Sequence, residues 1–269
     1  MIEMSPILLA FLGTLFIFFM TSAGAAIIFL FKKEIHSTVQ QSFLGFAGGV
    51  MLAASIWSLI IPALDMAAKQ NQIPWLVAGI GIMFGGMFLY GLDYFLSYLY
   101  EKKMAVEKEE EKSHASSKRT ALLVSAITLH NIPEGLAVGL TFALAAQAGS
   151  NVSLAAAIAL MLGIGIQDFP EGAAVSLPLY KEGHSKKKAF GFGVLSGGVE
   201  PIAGVLAAIL VGTIATIMPW LLTFSAGAMI YVVLQELIPE AHSEEFSYIG
   251  TLGLMVGFSL MMILDVALG

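Results

Sequence analysis

The chain has 269 residues, 58% of them hydrophobic and only 12% charged, against about 25% charged in an ordinary soluble domain. This is the composition of an integral membrane protein, and the net charge of −6, divided between loops and apolar stretches, gives no reason to expect a nucleic-acid partner. There is no cysteine, so disulfides and thiolate ligands are excluded and any metal must be held by nitrogen, oxygen or thioether sulfur.

A membrane-crossing helix needs about 20 apolar residues. Eight such stretches occur in order, at 5–31, 39–64, 73–100, 120–148, 152–180, 187–212, 218–241 and 246–268. The expected fold is all-α: a polytopic membrane protein of eight transmembrane helices, forming a single transmembrane domain over residues 1–269 in contact with the lipid bilayer. The first stretch follows Glu3 without a basic segment, and its run from Ile7 to Phe31 exceeds the ~7–15 apolar residues of a signal peptide. It reads as a span, with Ser22-Ala23-Gly24-Ala25 the only hint of a cleavage site.

Lysine and arginine orient the spans, because they accumulate on the cytoplasmic side. Lys32 and Lys33 lie between spans 1 and 2. Lys102, Lys103, Lys108, Lys112, Lys118 and Arg119 lie between spans 3 and 4, and Lys181, Lys186, Lys187 and Lys188 between spans 5 and 6. Only Lys69, between spans 2 and 3, falls on the other side. Odd-numbered loops therefore face the cytoplasm and both termini face out. Residues 101–119 form a cytoplasmic loop between spans 3 and 4, a solvated charge run containing His114. The compact length and lack of a targeting segment point to a prokaryotic plasma membrane.

Gly81 and Gly85, Gly193 and Gly197, and Gly253 and Gly257 have the small-xxx-small spacing that lets helices approach closely in lipid. An internal echo links spans 2 and 7: Phe46-Ala47-Gly48-Gly49-Val50-Met51 resembles Phe224-Ser225-Ala226-Gly227-Ala228-Met229, and Leu59-Ile60-Ile61-Pro62 resembles Glu236-Leu237-Ile238-Pro239. These spans cross in opposite directions. An inverted repeat is expected, spans 1–3 against 6–8 and span 4 against span 5, as in secondary transporters with a midplane site.

A second echo carries the chemistry. His130-Asn131-Ile132-Pro133-Glu134-Gly135 in span 4 returns as Gln167-Asp168-Phe169-Pro170-Glu171-Gly172 in span 5. A carboxylate at the centre of a span costs at least ~2.5–3.5 kcal/mol on insertion scales, so two such motifs need a reason beyond packing. On a helix, residues three and four apart share a face. Each motif thus sets a glutamate beside two further oxygen or nitrogen donors. His130 and Glu171 lie ~14–15 Å deep at 1.5 Å per residue, near the middle of a ~30 Å core, and Glu200 of span 6 falls at similar depth. Pro133 and Pro170 remove backbone N–H groups and free the carbonyls of Leu129 and Ile166, which is tolerated where the backbone lines a polar cavity. Glu134, Asp168, Glu171 and Glu200 total about −4 when ionised, a charge that two divalent cations balance.

The candidate metal ligands are therefore His130, Asn131, Glu134, Gln167, Asp168, Glu171, Glu200 and, on a weaker signal, Met51 of span 2 at similar depth. Asp65, Gln235, Glu236 and Glu240 are candidate pathway residues. Transport of a divalent cation is the leading reading. The alternatives are a proton-coupled carrier of another solute and an intramembrane metalloenzyme, but no enzyme is expected. The di-iron order Glu-x-x-His and the protease motif His-Glu-x-x-His are both absent, and no nucleophile or second imidazole accompanies the motifs.

The paired motifs, eight spans, outward termini and long loop after span 3 resemble the ZIP (Zrt/Irt-like) divalent-metal transporters, their GufA-like branch most closely. The resemblance implies a binuclear site. His130, Glu134, Gln167 and Glu171, with Met51, would hold one metal. Asn131, Asp168 and Glu200, with both glutamates bridging, would hold the second. It also implies movement of Zn2+, or of Fe2+, Mn2+ or Cd2+, into the cytosol, and frequent homodimers. Two departures from the pattern stand out: many members have a histidine where Gln167 stands, and 101–119 lacks their histidine-rich cluster.

Overall fold

The computed structural model describes residues 5–31, 36–104, 111–147, 152–242 and 248–268, with side chains other than those of 96, 97, 99–104, 111–123, 126 and 268. Lys32, Lys33, Lys108 and the His114 side chain lie outside that description. Every regular element among the described residues is helical.

Local chemistry sets where the helices begin and break. Helix α1 (Pro6–Ala26) starts where Ser5 Oγ accepts from Leu8 N at 3.2 Å with Pro6 in the first turn, an N-cap arrangement that uses donors the helix leaves unpaired. A 3₁₀ turn, Ile27–Leu30, completes it. Helix α2 (Ser37–Ala54) passes through a π-helical stretch, Ser55–Ile60, into α3 (Ile61–Lys69). Asn71, at φ 57°, turns the chain toward α4 (Pro74–Met104). Helices α5 (Glu111–Ala145) and α6 (Leu154–Lys181) carry Pro133 and Pro170 in their interiors. Gly183, at φ 93°, closes α6. Helix α7 (Lys186–Gly197) is offset from α8 (Val199–Ile209) at Gly198, where Pro201 has no N–H to offer the carbonyl four residues earlier. Helix α9 (Val211–Val232) runs through a second π-helical stretch, Val233–Leu237, into α10 (Ile238–Ala241), and α11 (Tyr248–Leu268) ends the chain. Helices α4 and α5 thus extend from both sides into the segment read as a cytoplasmic loop.

Seven helical stretches among the described residues are long and apolar enough to cross a membrane: Pro6–Leu30, Ser37–Lys69, Pro74–Phe95, Leu154–Lys181, Lys186–Ile209, Val211–Ala241 and Tyr248–Ala267. They coincide with seven of the eight stretches read from the sequence. The remaining one falls on α5, whose first side chains lie outside the described residues and whose centre holds His130, Asn131, Pro133 and Glu134.

The packing follows the expected repeat. The most extensive pairings are α2 with α11, α1 with α6, α4 with α9 and α5 with α8. Exchanging spans 1–3 with 6–8 and span 4 with span 5 converts the first of these into the third and the second into the fourth. The contacts correspond residue by residue. Gly257 of α11 lies on the carbonyl of Phe46, and Gly85 of α4 on the carbonyl of Phe224, so closely that a methyl group at either glycine would overlap the oxygen. Phe46 and Phe224 open the two halves of the echo. Both π-helical stretches run into a proline, Pro62 and Pro239, and one is six residues long, the other five. That difference absorbs the one-residue slip between the two parts of the echo. Helices α1, α5, α6 and α8 surround the carboxylates, while the α2–α11 and α4–α9 pairs pack outside them.

Candidate metal centre

The two Pro-Glu-Gly motifs meet through their backbones and side chains. Gly135 of α5 faces the Glu200 backbone of α8, and Gly172 of α6 faces the Thr21 backbone of α1; neither position has room for a Cβ. These close approaches draw the motif-bearing faces inward. His130, Asn131, Glu134, Gln167, Asp168, Glu171 and Glu200 are each 0% exposed.

The hydrogen bonds are reciprocal between the helices. His130 Nε2 lies 3.0 Å from Glu171 Oε2. Gln167 Nε2 donates to Glu134 Oε1. The first residue of each motif therefore holds the glutamate of the other. Beside this pair, Asn131 Nδ2 donates to Glu200 Oε1 and to the Ser196 carbonyl, both at 3.1 Å. Thr21 Oγ1 donates to the same Glu200 oxygen at 3.2 Å, and Ser225 Oγ to the His130 carbonyl at 3.2 Å.

The groups left over are as informative. His130 Nδ1, Asn131 Oδ1, Glu134 Oε2, Gln167 Oε1, both oxygens of Asp168, Glu171 Oε1 and Glu200 Oε2 are buried without a hydrogen-bond partner. Buried polar groups are almost always paired, and each orphan costs ~1–3 kcal/mol. Acceptors without donors, gathered in one dry place, are a cation's coordination shell in chemical type: hard carboxylate and amide oxygens with one imidazole suit borderline divalent ions. His130, Glu134 and Glu171 can each offer one ligand atom with all three atoms within 4.8 Å of one another.

The remaining sequence candidates divide. Met51 is fully buried on α2, in the same core as Leu136 and Ala137 of α5 and Ala174 and Val175 of α6. Asp65 is exposed on α3. Gln235 and Glu236 line a crevice between α4 and α9 with Asp93 and Tyr231. Glu240 accepts from Gln40 Nε2 at 3.4 Å and pairs with Lys181 Nζ at 3.3 Å. None of these four joins the carboxylate cluster. Thr21, Ser196 and Ser225, which hold it in place, were not singled out from sequence. Their signal was a small polar side chain or peptide group in an apolar helix, a common feature that becomes specific only once a carboxylate or ligand carbonyl is beside it.

The fold and these buried donors define an all-helical, polytopic membrane protein with a His/Glu cluster able to ligate metal at its centre. The chain matches the family model for the ZIP zinc transporter over residues 5–120 and 102–265. It is 36% identical to the zinc transporter ZIP11 of Xenopus tropicalis, over 98% of both chains. It is 34% identical to the zinc transporter GufA of Myxococcus xanthus, over 89% of this chain and 91% of that one. With the zinc transporter ZIPB of Bordetella bronchiseptica it shares 38% identity, over 93% of this chain and 79% of that one. The chain belongs to the ZIP family. Its relatives come from both bacteria and vertebrates.

Proposed function

We propose that this protein carries divalent transition-metal cations, zinc foremost and Fe2+, Mn2+ or Cd2+ as related substrates, across its membrane into the cytosol. The observation that carries this reading is the set of orphaned buried acceptors around the reciprocal His130–Glu171 and Gln167–Glu134 pairs. The names of the relatives support zinc. The cation binds where α5 and α6 face each other, and the helices move so that the site opens to one side and then the other.

We further infer two cations per site. The orphaned atoms of His130, Glu134, Gln167 and Glu171, with Met51, suit one. Those of Asn131, Asp168 and Glu200 suit the second, with Glu134 and Glu171 shared. Elemental analysis of the purified protein, with and without chelator, checks this. Two bound cations are expected in the unsubstituted chain and one in Asp168→Ala. A protein that holds no metal before chelation would favour a carrier of another solute.

Eight crossings, with α5 the fourth, both termini outside and 101–119 in the cytosol, complete the reading, and homodimers are expected. The kinship spans bacterial and vertebrate proteins and does not single out a prokaryotic plasma membrane. Delivery toward the cytosol is the same for a plasma membrane and for an internal compartment. Relatives named as zinc transporters favour transport over the metalloenzyme alternative. In proteoliposomes the unsubstituted protein should take up radioactive zinc, while His130→Ala and Glu171→Ala should abolish uptake and remain folded. Undiminished uptake in both variants would refute the site.

A further inference from the structure

The echo between spans 2 and 7 ends, in each half, on a methionine. Met51 follows Phe46 as Met229 follows Phe224. Both methionines are 0% exposed and lie in one core with Leu136 and Ala137, just past Glu134, and Ala174 and Val175, just past Glu171. They are joined through one hydroxyl: Ser55 Oγ, at the start of the first π-helical stretch, lies 2.8 Å from the Met51 carbonyl and 2.9 Å from Met229 Sδ. The residue equivalent to Ser55 at the start of the second stretch is Val233, which has no hydroxyl. The equivalence is therefore broken at one point: the Met229 sulfur is engaged by Ser55, and the position equivalent to Ser55 in the other half carries no hydroxyl for Met51. Helix α9 also reaches the cluster directly, through Ser225 and the His130 carbonyl at 3.2 Å.

We propose that Met229 is a second thioether donor for the cation, serving in the facing state opposite to the one in which Met51 serves. The assignment rests on the transport reading above. In a carrier built from inverted repeats, the two facing states are related by exchange of the repeats' conformations, so a donor on one repeat has a working counterpart on the other. In this structure Met229 is the donor held in reserve by Ser55. Thioether sulfur favours soft cations, so the pair would raise the standing of cadmium over manganese at both faces of the membrane.

The test uses right-side-out and inside-out membrane vesicles from cells producing the full chain, with zinc flux driven from either face and cadmium or manganese as competitor. Met51→Leu should weaken cadmium competition at one face and Met229→Leu at the opposite face, each by about tenfold, the scale on which groups next to a metal site act. Manganese competition should be unchanged. Leucine is close to methionine in volume, so both variants should fold and reach the membrane, and cadmium and manganese competition is read relative to the reduced zinc flux of each variant. Unchanged cadmium competition in Met229→Leu, or loss at the same face in both variants, overturns the assignment while transport stands. Absence of zinc flux in the unsubstituted protein overturns the transport reading and this assignment with it. Ser55→Ala gives a second measurement that leaves both sulfurs in place: releasing Met229 should strengthen cadmium competition at the Met229 face, and no change there overturns the proposal.

Discussion

At the scale of single residues, the centre is an exchange: each helix supplies the partner that steadies the other's glutamate. Replacing His130 by Gln should therefore cost most of the zinc uptake. The double variant His130→Gln with Gln167→His should recover part of it, because the imidazole then holds Glu134 in place of Glu171. Uptake no better in the double variant than in the single would count against equivalence of the two motifs. Thr21 acts at one remove, by orienting Glu200. Thr21→Val keeps the shape and removes the hydroxyl, so zinc affinity measured by titration calorimetry should fall about tenfold with the thermal transition little changed. The side chains on the inward faces were legible in the sequence, since helical spacing and depth select them. The cross-helix pairing was not legible, because spacing along one helix sets which residues share a face and says nothing of which neighbour that face meets. Thr21 was hidden for a related reason: its hydroxyl also returns to the Ile17 carbonyl at 3.2 Å, as threonines in apolar helices commonly do.

At the scale of helices, glycine decides how near the partners come. Gly257→Ala would place a methyl group on the Phe46 carbonyl and should lower stability by about 1–3 kcal/mol. Gly79→Ala adds a methyl where nothing lies within 4 Å and should leave the thermal transition in place. Equal effects of the two substitutions would show that the α2–α11 contact is not close. The glycine spacings were visible in the sequence, though the carbonyls they rest on were not. The π-helical stretches were visible only as a one-residue slip in an internal echo. Their physical basis is local: Pro62 and Pro239 have no N–H, and a widened turn before each accommodates the missing bond.

At the scale of the molecule, two sets of helices related by exchange enclose a polar centre that the bilayer alone would not tolerate. A central carboxylate is too costly to keep without function. The apolar stretches themselves were plain in the sequence, because lipid demands long apolar helices. The absence of native cysteine makes the topology directly testable. A single cysteine at Gln72 should react with an impermeant maleimide added outside, and one at Glu182 only after the cytosolic face is exposed. Reaction of both from one side would contradict three crossings between Gln72 and Glu182, and with them the opposed directions of spans 4 and 5 on which the site depends.

The central claim is that donors from two different helices grip the same cation. Zinc-edge X-ray absorption of the zinc-loaded, purified protein tests it most directly. The account predicts mainly oxygen and nitrogen neighbours at about 2.0–2.2 Å, a longer sulfur neighbour from Met51, and an imidazole signature that disappears in His130→Ala, although His36, His114, His184 and His242 remain. An imidazole signature that survives that substitution would place the metal elsewhere and contradict the account.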